Sequence, residues 1–228
     1  MLCFFTNLSN PQTVEEALSS SEANEWKQAM DDEINSLVKN ETWKLVDLPS
    51  GKTALPNKWV FKRKTNPQGN VIQYKARLVI KGYAQKRGVD FQEVYSPVVR
   101  WTSIRYLFAL AAQQDLHIDQ MDAVSAFLQG SIDTDIYMIQ PEKYKKGDEV
   151  CHLKKSIYGL KQASRLWNMK LSTVLKEMGI QQSKTDPCVY YDIKMEIYIA
   201  IWVDDIILKT TTEVEYERPG KGESMSGP

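Results

Sequence analysis

Cysteine and histidine are scarce in this chain, at three and two of its 228 residues. Cys3, Cys151 and Cys188 lie far apart, are odd in number and form no C-x-x-C. That excludes a disulfide framework and a zinc knuckle and predicts a reducing compartment. His117 and His152 lack the spacing of a ligand pair and read as structural. No apolar run approaches the ~20 residues of a membrane span. The opening MLCFFTNL lacks the basic flank and the length of a signal peptide. These absences predict an intracellular chain, cytoplasmic or nuclear, neither secreted nor membrane-bound. Net charge is missing as well, with 29 basic against 29 acidic residues, so no overall field advertises a polyanionic partner.

What is present is a local asymmetry. From Lys52 to Arg87 there are ten Lys or Arg and no Asp or Glu, whereas Gln12 to Leu48 holds nine acidic residues against three basic. A stripe of one sign in a neutral chain reads as a binding surface. The hydrophobic fraction of 43% supports a real core.

Periodicity and punctuation outline the elements. Thr13-Val-Glu-Glu16 is a capping-box pattern opening a short helix. A longer helix is predicted from about Glu22 to Val38, with Trp26, Met30, Ile34, Leu37 and Val38 on one face and Asp31, Asp32 and Glu33 mostly off it. Residues 58–64 and 71–81 alternate like strands and are joined by Asn66-Pro-Gln-Gly-Asn70 as a hairpin that carries most of the basic stripe. Helices are expected over 102–113, with Ile104, Leu107, Phe108 and Ala111 inward, and over 164–178, stopped by Gly179. Strands are expected over 116–124, 135–140, 150–153, 188–191 and 197–203, with a returning arm over 206–208. Trp26, Trp43 and Trp167 fit core packing. This order of elements predicts an α+β fold.

The stretch YIAIWVDDIIL, residues 198–208, sets Asp204 and Asp205 among apolar neighbours, at the expected tip of a hairpin. Two carboxylates held close repel, and a hard divalent cation relieves that repulsion through oxygen ligands. A third carboxylate is needed from another element. Asp122 is the natural candidate and Asp119 its competitor; strand alternation puts the two on opposite faces, so only one can serve.

The motifs Trp59-Val-Phe, Lys75-Ala-Arg-Leu-Val79, Gly82-Tyr-Ala-Gln85, Ser96-Pro-Val98, Gln120-Met-Asp122, Ala126-Phe-Leu-Gln-Gly130, Ile157-Tyr-Gly-Leu-Lys-Gln162 and Val203-Asp-Asp205 follow one another in order. Together they resemble the reverse transcriptase of a copia-type LTR retrotransposon, over roughly residues 11–209. The resemblance implies a right-hand polymerase with fingers and part of an antiparallel palm sheet over 12–209, after a segment at 1–11 and before a divergent, disordered tail at 210–228. It implies an RNA-directed DNA polymerase acting on dNTP and an RNA or DNA template with its primer. Asp122, Asp204 and Asp205 would hold two Mg²⁺ ions, or Mn²⁺ in their place, ~3.5–4 Å apart. Phe127 would be the steric gate beneath the incoming sugar. Arg77, with a lysine from Lys62-Arg-Lys64, would grip the triphosphate, and Gln162 would contact nucleotide or template. Trp202 and Val203 would lie near the primer terminus.

The chain departs from the family pattern in three places. Trp202 stands where a Tyr is usual, Asp122 is followed by Ala-Val-Ser-Ala-Phe127 rather than V-K-T-A-F, and the resemblance is expected to fade after about Leu208. No thumb or RNase H is expected here. The alternative expectation is a truncated, inactive relic retaining at most nucleic-acid binding. A single-carboxylate two-metal core, as in an RNase H or integrase, is disfavoured by the adjacent aspartates.

Overall fold

Thr13 opens the first helix as the capping pattern predicts, its Oγ1 accepting from Glu16 N at 3.1 Å, while Glu16 reaches one residue further back than that pattern, its Oε2 accepting from Gln12 N at 2.7 Å. The structure, a computed structural model, describes residues 9–123 and 125–210. Its helices are α1 (Val14–Ser19), α2 (Ala23–Lys39), α3 (Trp101–Gln114) and α4 (Ala163–Glu177). Its strands are β1 (Trp43–Val46), β2 (Ala54–Leu55), β3 (Asn57–Thr65), β4 (Val71–Ile80), β5 (His117–Asp122), β6 (Tyr137–Met138), β7 (Val150–Leu153), β8 (Gln181–Gln182), β9 (Val189–Asp192), β10 (Ile197–Trp202) and β11 (Asp205–Thr210). The class is mixed α+β, as expected. The segments expected to be an N-terminal arm and a disordered tail fall almost wholly outside the described residues. No helix among the described residues is long and apolar enough to cross a membrane.

The chain divides into two units. The first joins residues 1–96 to 125–172 and the second joins 97–124 to 173–228.

In the first unit, β3 and β4 pair from Asn57↔Ile80 to Thr65↔Val71. The connection closes as its turn residues dictate, with Asn66 Oδ1 accepting from Gln68 N and Asn70 N. One face of this hairpin buries Trp59, Phe61, Ala76, Leu78 and Ile80 in a core shared with Trp26, Met30 and Leu37 of α2. A second sheet, ordered β1-β7-β6-β2, is antiparallel except for the β2–β6 pair.

Three expectations need correction here. Val38 is exposed, because the buried stripe runs through Trp26, Met30 and Leu37 and leaves Val38 a 100° step off it. Glu33, expected off the apolar face, is only 6% exposed. Its carboxylate accepts from Leu78 N at 3.2 Å and from Arg77 Nη1 at 2.6 Å, so it closes the outer edge of β4. The strand expected over 135–140 shrinks to Tyr137–Met138, with one further bond from Ile139 N to Leu55 O before Pro141.

The second unit is a five-stranded antiparallel sheet in the order β5-β11-β10-β9-β8, with α3. Ile104, Leu107 and Ala111 are buried, but Phe108 is exposed at the rim of that stripe, a 100° step from Leu107. The N-terminus of α3 is held by Asp186, which accepts from Arg100 N at 3.0 Å and Ser103 Oγ at 2.6 Å and also from Cys188 N. Burial pushes the Asp186 carboxyl up, but these hydrogen bonds, with Arg100 nearby, outweigh burial and hold it below the ordinary range. Its stabilisation is therefore present above the unfolded-state value and lost as pH falls through the lower folded value. Asp186→Asn is expected to cost about 1–2 kcal/mol at neutral pH and to flatten the acid limb of stability, as urea titrations from pH 7 to 3 would show.

Candidate active site

β10 and β11 turn back on each other in two residues. Ile201 pairs with Ile206 and Trp202 with Asp205, which leaves Val203 and Asp204 as the loop. A two-residue hairpin loop needs a positive φ at its first position, normally glycine. Here Val203 takes it, at φ 57°, a conformation a β-branched residue rarely adopts. The loop is tied down from the side by Ala123 N, which donates to Asp204 O at 3.0 Å.

The tip is thus narrower than the sequence suggested. Asp204 occupies the turn, whereas Asp205 is the first residue of β11 and lies directly opposite Asp122 of β5. Directly paired residues present their side chains on one face. Asp122, Asp205 and Trp202 therefore form a row across three strands. Asp119 pairs with Leu208 instead, on the opposite face, so the register selects Asp122 from the two competitors.

Gln120 Nε2 donates to Asp205 Oδ1 at 3.1 Å, and no lysine or arginine pairs with Asp122, Asp204 or Asp205 among the described residues. The oxygen donors have the chemistry a hard divalent cation prefers. Yet no three acidic, histidine or cysteine residues among those described converge closely enough to enclose an ion. The donor type fits; the enclosure is incomplete.

The first unit carries the other expected residues. Lys58, Lys62, Lys64, Lys75 and Arg77 alternate onto the hairpin face opposite the core, and Lys62 pairs directly with Lys75. Two like charges in direct register are unfavourable unless an anion lies near, and the Glu33 carboxylate interacts with Lys75. Arg77 spends one nitrogen on Glu33, and its guanidinium lies over the Tyr158 ring at 5.6 Å. Phe127, on a 3-10 turn at Ala126–Gln129, meets the same ring edge-on at 4.9 Å. Tyr158 thus brings Arg77 and Phe127 together, a role sequence reasoning missed although Tyr158 lies inside a quoted motif.

Gln162 does not face solvent. It is 1% exposed; its Oε1 accepts from Gln85 Nε2 at 3.0 Å, and its Nε2 donates to Asp90 O at 2.9 Å. Gln85 Oε1 in turn accepts from Lys161 N. Direct contact with a nucleotide is at odds with this burial. The amide instead pins the Tyr158–Gln162 segment to the stretch after β4. Glycines make that approach possible: a Cβ on Gly82 would stand 2.0 Å from Gly159 O, and one on Gly159 2.1 Å from Ile80 O.

Comparison with known proteins agrees with these motifs. Residues 40–217 match the family described as "Reverse transcriptase (RNA-dependent DNA polymerase)". The match runs past Leu208, so similarity continues further than expected. The chain is 46% identical over 204 residues to a retrovirus-related Pol polyprotein from transposon TNT 1-94 of Nicotiana tabacum, covering 87% of this chain and 15% of that polyprotein. It is 40% identical over 206 residues to the Pol polyprotein from transposon RE1 of Arabidopsis thaliana, covering 88% and 14%. A Gag-Pol polyprotein of transposon Ty1-BL from Saccharomyces cerevisiae is 28% identical over 193 residues, covering 82% and 11%. The chain spans about one seventh of the plant polyproteins it matches.

Proposed function

Because the chain belongs to the reverse transcriptase family found in copia-type transposon Pol polyproteins, we propose that it carries the nucleotidyl-transfer site of an RNA-directed DNA polymerase. Residues 12–209 would be the fingers and part of the palm of a right-hand polymerase, with β5-β11-β10-β9-β8 as the palm sheet. The observation that carries the reading is the register of Asp122 against Asp205, with Asp204 on the strained turn beside them.

Asp122, Asp204 and Asp205 would hold Mg²⁺ or Mn²⁺. When bound, such ions stabilise the charge on attacking and leaving oxygens. A primer 3′-hydroxyl would attack the α-phosphate of a dNTP, forming a new phosphodiester and releasing pyrophosphate. The chain's residues supply position and charge. Arg77 keeps N–H groups beyond its Glu33 contact for phosphate oxygens, and its planar fork suits them. Lys62 and Lys64 add mobile cations. Phe127 would pack under the sugar and disfavour a 2′-hydroxyl, with Tyr158 holding it against Arg77. Gln162 acts by positioning that segment.

The test is incorporation of labelled dNTP on an RNA template with a DNA primer. Synthesis is expected with Mg²⁺ or Mn²⁺ and is expected to vanish with chelator. A folded chain that binds template–primer but never extends it would reduce the function to nucleic-acid binding.

A further inference from the structure

The row of Asp122 and Asp205 ends in an aromatic pair. Trp202, opposite Asp205, meets Trp101 at the start of α3, with ring centroids 5.7 Å apart and planes tilted by 45°. Trp101 is 64% exposed and Trp202 39%, whereas Trp26, Trp59 and Trp167 are buried. Leaving two large indoles in water forgoes the burial that stabilises the other three. They are nevertheless held in place. Val99 N donates to Ile201 O at 3.1 Å, fixing the segment before α3 along β10, and Asp186 anchors the helix start itself.

We propose that Trp101 and Trp202 form a stacking platform for a base of the nucleic-acid strand that reaches the carboxylates, with Trp101 as its outer wall. The proposal rests on reading Asp122, Asp204 and Asp205 as the catalytic carboxylates. A tilted pair cannot satisfy both rings face to face, so an indole face stays open to a third flat group. Every nucleobase offers such a face, whatever its sequence, and one base–aromatic stack changes affinity roughly 5- to 150-fold. Arg100, exposed and next to Trp101, adds a cation for the adjoining phosphate. The row therefore joins a π-surface to the carboxylates on one sheet face.

The experiment is binding of the full chain to a fluorescein-labelled DNA primer on an RNA template, read by anisotropy without dNTP. Trp101→Phe is expected to bind within about twofold of the wild-type chain, because phenylalanine still stacks. Trp101→Leu and Trp101→Ala should weaken binding roughly 5- to 150-fold, because neither offers a ring. Tryptophan emission should be quenched on binding, and less so in Trp101→Phe and Trp202→Phe. Trp101→Leu binding as tightly as wild type would overturn the platform and leave the pair an apolar surface for a protein partner. If the leucine and alanine variants fail to fold by circular dichroism, quenching decides: quenching in both phenylalanine variants as strong as in the wild-type chain sinks the proposal. A wild-type chain that binds no template–primer at all would overturn the platform together with the polymerase reading beneath it.

Discussion

Asp204→Asn is expected to lower dNTP incorporation by at least about a thousandfold while leaving template–primer affinity within about twofold. Removing one preorganised group that stabilises transition-state charge costs about 10²–10³, and a carboxylate meant to hold the cations does more than a single hydrogen bond. The substitution is nearly isosteric and leaves the Ala123 N to Asp204 O bond intact, since that bond uses the backbone. A fall in rate without a fall in affinity thus separates chemistry from folding. Asp122→Asn should behave alike, because Asp122 faces Asp205 across the β5–β11 pair. Asp119→Asn should not, because its partner is Leu208 on the other face. Incorporation surviving in Asp204→Asn would remove Asp204 from the mechanism. Single-turnover extension and anisotropy measured side by side make the distinction.

The largest effect on stability is expected at Gly159. Its φ is +93°, and an added Cβ would stand 2.1 Å from Ile80 O and 2.7 Å from Val79 Cγ1. The nearest obstacle is backbone and cannot swing aside. It is also held, because Ile80 N donates to Tyr158 O at 2.8 Å. Left-handed strain of about 1–2 kcal/mol and overpacking of about 1–3 kcal/mol act together, so Gly159→Ala should cost about 2–5 kcal/mol. That is a large share of the ~5–15 kcal/mol that holds a domain together. Gly179→Ala is the control, with a positive φ but nothing within 4 Å of the added carbon. It should lose about 1–2 kcal/mol, the backbone strain alone. Equal midpoints for the two variants in urea denaturation would show that the contact at Ile80 yields more readily than a backbone should.

The sequence made some of the site legible and hid the rest for identifiable reasons. The β3–β4 hairpin and the stop of α4 at Gly179 follow from turn chemistry and alternation within a few residues, whereas the bend at Val203-Asp204 does not, since a β-branched residue takes the positive φ there. Those signals are local. Glu33 was legible in principle, since 26, 30, 33 and 37 follow one helical stripe, but its charge argued it off the face. Its burial depends on Arg77 and Leu78 N, 44 and 45 residues away. Gln162 carried a motif that suggested function, yet Gln85 and Asp90 occupy its amide, and nothing in the motif names those partners.

From the residues alone came the α+β class, the basic hairpin face, the aspartate pair and the resemblance to reverse transcriptases, because composition, period and motif order survive without coordinates. Only the tertiary structure set Asp122 against Asp205, moved Asp205 off the turn, seated Arg77 and Phe127 on Tyr158 and paired Trp101 with Trp202. Apart from the local Trp202–Asp205 pair, each of those contacts joins segments that are distant in sequence. Which residue meets which is decided by strand register and core packing, and a one-residue slip would send every side chain to the other face.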